Sequence, residues 1–179
     1  HGIGDGRPYA VFSLRAGVDD HDQLVALRAA TERLPDGAAA VYLPHCTGEV
    51  ADDRAVLGED PWAASHLAVG GPEADDLAAA SLIAGAVVTV GSRFHLAVLA
   101  RAAGVPAVAM VGSRYDATRL VALGGDPGLF AVASGDAGET AEATAQALAH
   151  GRDAGTPVWE GDAFARAPAE VLPPAPRLA

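Results

Sequence analysis

Residues 86–112 read AVVTVGSRFHLAVLARAAGVPAVAMVG, and this stretch decides the fold. It contains two short β-branched apolar runs, Val87–Val90 and Val105–Val111, which are typical of buried strands. Between them lies a segment of helical pattern, Ser92–Ala103, which Gly104 is expected to end as the residue after the C-cap. The order of strand, helix and strand predicts a β-α-β unit with two parallel strands.

The start of this helix carries charged side chains where parallel sheets commonly bind ligands. Ser92 is expected to cap the helix N-terminus, and Arg93 and His95 follow just past the carboxyl end of a strand. A helix N-terminus presents free N–H groups and partial positive charge, so an arginine there is unfavourable unless an anion is present. The pattern predicts an anion site over residues 91–95. The alternative is that Arg93 pairs with a carboxylate from a neighbouring loop and that His95 is a satisfied, half-buried histidine.

The other apolar runs also end in polar residues. A first strand, Tyr9–Leu14, is followed by Arg15, and a second strand, Ala38–Leu43, is followed by His45. The loop after the central unit begins Gly-Ser-Arg-Tyr-Asp over residues 112–116. Strand ends of a parallel sheet meet at one edge, where ligands bind. The candidate substrate-binding residues are therefore Ser13, Arg15, His45, Ser92, Arg93, Arg114 and Tyr115.

The loop after the second strand has two possible uses. His45 and Cys46 are adjacent, but no further ligands follow at metal-site spacing, so no metal is expected. The acidic residues Glu49, Asp52 and Asp53 can hold a sugar hydroxyl or act as a base. They can equally form a solvated helix start.

Composition narrows the function classes. The chain has 179 residues, half of them apolar but only 5% aromatic, so one domain with a core of Ala, Val and Leu is expected. The net charge is −11 and every basic residue is Arg, which argues against nucleic acid or an anionic membrane as a general partner. The single cysteine excludes an internal disulfide and favours a reducing compartment, so we expect a cytoplasmic protein. No apolar run reaches the roughly 18 residues of a membrane span, and no transmembrane segment is expected.

The alternation of strands and helices predicts an α/β fold with a doubly wound, mainly parallel sheet of about six strands. The expected strand order is 3-2-1-4-5-6, with the switch point between the first and fourth strands. Residues 1–8 are interpreted as a linker, 9–167 as the Rossmann-like domain and 168–179 as a Pro-rich tail. No Gly-x-Gly-x-x-Gly motif and no Gly-Lys-Ser/Thr phosphate loop occurs in the sequence.

The predicted strand order has a consequence for the arginines. It places Arg15 beside Arg93 and His95, with Arg114 one strand further along. Three strand-end arginines would then converge on one crevice, which would suit a small and highly charged anion.

The central unit also resembles a known family. Residues 90–110, VGSRFHLAVLARAAGVPAVAM, are similar to the signature of the polysaccharide pyruvyl transferases. In that family a strand leads into an Arg-x-His pair, a small-residue helix, Gly-(Val/Ile)-Pro and another strand. The similarity is good over residues 83–124 and looser over 9–135. Glycosyltransferases with two Rossmann-like domains carry a similar segment.

The resemblance implies an enzyme built as two Rossmann-like halves in a GT-B-like arrangement, of which this chain matches the C-terminal half. The enzyme would transfer a pyruvyl group from phosphoenolpyruvate to sugar hydroxyls of a polysaccharide or its precursor, closing a ketal without a further cofactor. His95 would transfer the proton, and Arg93 with Arg15 would bind the donor. The N-terminal half, which binds the saccharide acceptor, is expected to be missing from this chain.

One departure from the family keeps other functions open. The family commonly has Tyr-Asp-x-Lys where this sequence has Tyr-Asp-Ala-Thr over residues 115–118, so Arg114 or Arg119 would have to replace the lysine. The alternative is the nucleotide-sugar-binding half of a GT-B glycosyltransferase or sugar epimerase. A helix N-terminus would then hold the diphosphate, and Glu139 is the candidate acid for the ribose. A non-catalytic relative that binds carbohydrate or a partner is the third possibility.

Overall fold

The computed structural model describes residues 6–17, 19–48, 52–69, 76–121, 123 and 127–152. The predicted Pro-rich tail and residues 1–5 of the predicted linker lie outside the described residues, as does Glu49. In the part of the chain that is described, no helix combines the length and the apolar character needed to cross a membrane.

Strands and helices alternate along the chain. The strands are β1 (Tyr9–Ser13), β2 (Ala39–Tyr42), β3 (Leu67–Val69), β4 (Val88–Gly91), β5 (Ala107–Val111) and β6 (Leu129–Ala133). The α-helices are α1 (Asp20–Thr31), α2 (Pro61–His66), α3 (Asp76–Gly85), α4 (Phe94–Ala102), α5 (Arg114–Val121) and α6 (Ala137–His150). A short 3₁₀ helix, Asp53–Val56, lies between β2 and α2.

The six strands form one parallel sheet in the order β3-β2-β1-β4-β5-β6. This is the predicted order, and the switch point lies between β1 and β4 as expected. The register pairs Ser13 with Gly91 at the carboxyl ends of these two strands. The loops after β1 and β4 therefore face each other across the point where doubly wound sheets bind ligands.

Helices cover both faces of the sheet. Successive side chains of a strand point to opposite faces, so Phe12 packs with Leu27 of α1 on one side and Val11 packs with Ile83 and Leu96 on the other. The first face is covered by α1 and α6, and the second by α3, α4 and α5. The predicted doubly wound α/β class is therefore confirmed.

The helix of the central unit ends as predicted. Gly104 has a φ of 65°, in the left-handed region that a residue without Cβ adopts at little cost. Its N–H donates to the Arg101 carbonyl at 3.0 Å, and the Val105 N–H donates to the Ala100 carbonyl at 2.9 Å. These two bonds form a Schellman motif, which satisfies the last free carbonyls of α4 and turns the chain towards β5.

Candidate functional site

A recess opens at the carboxyl edge of the sheet, beside the switch point. Its volume is about 240 Å³ when the space open to solvent is included. Residues at the carboxyl ends of β1, β4, β5 and β6 contribute to the recess, and residues of α1 and α5 complete its wall. The lining residues are Arg15, Gln23, Ser92, Met110, Gly112, Asp116 and Ser134.

Two predicted substrate-binding residues, Arg15 and Ser92, meet in this recess. Arg15 is exposed in the loop after β1, and its backbone N–H donates to Ser92 Oγ at 2.8 Å. The backbone of Arg15 is therefore held beside the end of β4, at the place that the strand order predicted. A guanidinium at this edge of the sheet is able to bind an anion.

Ser92 does not cap the helix, so that prediction is wrong. α4 begins at Phe94, Arg93 stands at the N-cap position, and no side chain bonds to the first turn there. The Ser92 N–H still donates to the Ser13 carbonyl at 3.0 Å, which continues the pairing of β1 with β4 for one more residue. Because Ser92 belongs to the strand end, its hydroxyl points across to the loop after β1.

Arg93 forms an ion pair rather than an open anion site. Its guanidinium makes a forked contact with Asp53, with Arg93 Nε 2.9 Å from Oδ2 and Nη2 bonded to Oδ1. The Asp53 side chain is completely buried and that of Arg93 is 19% exposed. The alternative stated for the sequence, a carboxylate from a neighbouring loop, is therefore what the structure shows.

Asp53 also holds the two loops next to it. Its Oδ2 accepts from the backbone N–H groups of His45, at 3.1 Å, and Cys46, at 3.0 Å. Its Oδ1 accepts from the Ala16 N–H at 3.4 Å. One buried carboxylate thus joins the ends of β1 and β2 to the start of α4. The sequence analysis considered Asp53 for a sugar hydroxyl, for a base or for a solvated helix start, and did not assign it this role.

His45 and Ser13 contact each other beside this ion pair. Ser13 is completely buried, and its Oγ lies 2.8 Å from His45 Nδ1. Among the described residues, His45 Nε2 is buried without a hydrogen-bond partner. Burial, together with the nearby Arg93 guanidinium, lowers the pKa of His45 below its ordinary value of 6.5. The imidazole is therefore neutral at pH 7.

The low pKa of His45 predicts a loss of stability in acid. Below about pH 6.5 the unfolded chain binds a proton that the folded chain does not, so the free energy of unfolding falls as the pH falls. A His45→Gln protein lacks this group and should lose less stability over the same range. Urea unfolding at about pH 7.5 and about pH 5.5 measures the difference. An equal loss in both proteins would assign the pH dependence to other groups.

The remaining candidates lie outside the recess lining. His95 is exposed in the first turn of α4, and its ring forms a T-shaped contact with the Phe94 ring at a centroid distance of 6.0 Å. Arg114 and Tyr115 begin α5 and are exposed. Of the three arginines expected to converge, only Arg15 lines the recess, since Arg93 turns to Asp53. The roles of His95, Arg114 and Tyr115 stay predictions.

Arg119 and Glu139, which the sequence analysis considered as a replacement for the family lysine and as the acid for the ribose, make contacts elsewhere in the structure. Arg119, a candidate replacement for the family lysine, lies with its guanidinium carbon 3.9 Å from the centre of the Phe94 ring. Glu139 accepts from the Ala133 N–H at 3.2 Å at the start of α6 and does not line the recess. The acid that lines the recess is Asp116, which sequence reasoning read only as part of a motif.

Gln23 is the lining residue that the sequence analysis missed most clearly. It is completely buried, four and seven residues before Leu27 and Ala30 on the apolar face of α1. A buried amide on an apolar helix face needs hydrogen-bond partners. A polar residue at a core position of α1 was therefore the signal that the sequence contained.

The described residues contain no group of three or more His, Cys, Asp or Glu side chains placed to hold a metal ion.

Comparisons with known proteins bear on the fold. No family profile and no curated protein matches this sequence. The UDP-GlcNAc 2-epimerase from Neisseria meningitidis bound to UDP-GlcNAc aligns with a TM-score of 0.57 and 13% identity, over 83% of this chain and 37% of that chain. A putative UDP-N-acetylglucosamine 2-epimerase from Listeria monocytogenes aligns with a TM-score of 0.55 and 13% identity, over 89% and 43%. The glycotransferase of kitacinnamycin aligns with a TM-score of 0.45 and 19% identity, over 84% and 40%.

These comparisons correct the predicted function. The two structures that align with TM-scores above 0.5 are UDP-GlcNAc 2-epimerases, so the prediction of pyruvyl transfer from phosphoenolpyruvate is wrong and the alternative given for the sequence is favoured. Arg93, which was predicted to bind the donor, forms an ion pair with the buried Asp53. The chain spans less than half the length of each of the three proteins described above. Its fold is that of one Rossmann-like half of a GT-B-type protein.

Proposed function

We propose that this chain is the nucleotide-sugar-binding half of a GT-B-type enzyme, a sugar epimerase or a glycosyltransferase. The observation that carries the proposal is the recess at the switch point, with the exposed guanidinium of Arg15 in its wall. A cation at the carboxyl edge of a parallel sheet suits the diphosphate of a nucleotide sugar. The similarity to an epimerase bound to UDP-GlcNAc supports a uridine nucleotide as the first ligand to test.

The recess accounts for part of such a ligand. It is open to solvent, and its volume of about 240 Å³ includes that open space. We assign the diphosphate to the part of the recess beside Arg15, with the base and the sugar along its rim. Gly112 leaves backbone open to close approach, Ser134 offers a hydroxyl, and the Asp116 carboxylate can accept from a ribose or sugar hydroxyl.

The proposal predicts that UDP and UDP-GlcNAc stabilise the chain and phosphoenolpyruvate does not. A ligand that binds only the folded state, present at one hundred times its Kd, adds about 2.7 kcal/mol to the free energy of unfolding. The Arg15→Gln protein should bind UDP about 10- to 100-fold more weakly, because a hydrogen bond to a charged group contributes about 1.5–3 kcal/mol. Thermal unfolding and calorimetric titration measure both effects.

Arg33→Gln is the matched control. Arg33 is exposed just after the C-terminal end of α1. A helix that follows a parallel strand runs back along the sheet, so this end lies at the amino edge, away from the recess. UDP affinity should be unchanged in Arg33→Gln. Stabilisation by neither nucleotide, or equal UDP binding in Arg15→Gln and the native chain, would contradict the proposed function.

A further inference from the structure

We infer that Gln23 and Ser92 are positioning residues, which hold the loop after β1 so that the Arg15 side chain faces the diphosphate. The inference rests on the proposed function and deepens it. It assigns a role to a buried amide and a hydroxyl that need not touch the phosphates themselves. Both act through the backbone of Arg15.

The three residues form a closed ring of hydrogen bonds. The Arg15 N–H donates to Ser92 Oγ at 2.8 Å, and Ser92 Oγ donates to Gln23 Oε1 at 2.5 Å. Gln23 Nε2 then donates to the Arg15 carbonyl at 3.1 Å. Both backbone polar groups of Arg15 are thus held, one by each partner. Ser92 Oγ both accepts and donates a hydrogen bond, and connected hydrogen bonds of this kind polarise and strengthen one another.

The two partners are themselves anchored. Gln23 is completely buried in α1, beside Ala26 and Leu27 in the core. Ser92 is fixed by its N–H bond to the Ser13 carbonyl, at 3.0 Å, at the end of the β1–β4 pairing. The ring therefore fixes the backbone of an exposed loop to a buried helix and to the end of a strand. A loop held in this way loses little conformational entropy when its arginine binds an anion.

The side chains of Gln23 and Ser92 are neutral, so they do not attract the diphosphate by charge. Their removal should weaken nucleotide binding only by releasing Arg15. Ser92→Ala and Gln23→Leu are each expected to weaken UDP binding about tenfold, as the loss of one or two ordering hydrogen bonds does. Ser92→Thr keeps the hydroxyl and should bind UDP within about threefold of the native chain. Ser65→Ala and Gln146→Leu are matched controls on exposed positions of α2 and α6.

A double-mutant cycle separates positioning from direct contact. If Ser92 acts through Arg15, then Ser92→Ala costs about tenfold in UDP affinity in the native background and less than about twofold in the Arg15→Gln background. A merely structural role would not produce this dependence on Arg15. Equal costs in the two backgrounds would mean that Ser92 touches the ligand directly, and the inference would be overturned.

Hydrogen exchange tests the ring without any ligand. The Arg15 amide should exchange slowly in the native chain and rapidly in Ser92→Ala, while the amides of α1 after its first turn keep their protection. Unchanged exchange at Arg15 in Ser92→Ala would overturn the inference even if UDP binds. Loss of protection together with no UDP binding by the native chain would instead show that the proposed function has failed, and the positioning role with it.

Discussion

Replacement of Asp53 by alanine is expected to lower the free energy of unfolding by about 3–5 kcal/mol. The carboxylate is completely buried, and it is the ion-pair partner of Arg93. Without it the Arg93 guanidinium stays in a mostly buried position with its charge unbalanced, and the His45 and Cys46 N–H groups lose their acceptor. For a chain of this size the loss corresponds to a melting temperature lower by roughly 10 °C. Urea unfolding and thermal scans measure both quantities.

The neighbouring residue supplies the control for this prediction. Asp52 also pairs with an arginine, Arg54, but their side chains are 34% and 40% exposed. Solvent screens such a pair, so Asp52→Ala should change stability far less. In the Asp53→Ala protein, Arg93→Leu removes the unpaired charge and should restore part of the loss. Similar losses on replacing Asp52 and Asp53 would contradict the argument from burial.

The strand order was predictable because it depends on patterns that the sequence displays directly. Short β-branched runs alternate with helical segments, and a right-handed crossover between parallel strands leaves few possible orders. The ends of elements were less predictable. The helix predicted from Ser92 begins at Phe94, because the Ser92 N–H still pairs with the neighbouring strand. That pairing depends on β1, which lies about 80 residues earlier in the chain.

The site was predictable as a location but only partly as a set of contacts. Sequence position identifies which residues follow a strand end, and Arg15 and Ser92 do line the recess. It does not determine which way a long side chain turns. Arg93 has a buried carboxylate 40 positions earlier within reach, and the strong forked pair directs it away from the recess. The anion site predicted over residues 91–95 therefore depended on a contact that only the folded chain reveals.

The prediction of pyruvyl transfer failed for a related reason. The residues that carry it form a strand, a helix start, a Gly-x-Pro turn and a second strand, and these are requirements of the β-α-β unit. Gly104 serves the Schellman turn, and the small residues of α4 allow it to lie close on the sheet. A motif that satisfies the fold is shared by proteins of different activity. The motif alone therefore does not distinguish the candidate functions.

Both the sheet and the recess depend on the absence of a Cβ atom at Gly91. It is the last residue of β4, opposite Ser13 in the register. A Cβ on Gly91 would lie 2.0 Å from the Ser13 carbonyl oxygen, 2.9 Å from its carbonyl carbon and 3.0 Å from Leu96 Cδ2. The two nearest atoms belong to the backbone of a buried strand, which cannot rotate aside as a flexible side chain can. The close approach of β1 and β4 at the switch point therefore requires glycine.

Gly91→Ala is accordingly expected to destabilise the chain by about 3 kcal/mol or more, at the upper end for an overpacked core. It should also weaken UDP binding, because β1 and β4 must separate and this moves Arg15 away from Ser92. Gly48→Ala is the matched control, since a Cβ on Gly48 meets no atom within 4 Å. Urea unfolding and UDP titration of the two proteins measure both effects. A Gly91→Ala protein as stable as Gly48→Ala would show that the strands have room for a methyl group, and the geometry of the recess derived from their close approach would then be wrong.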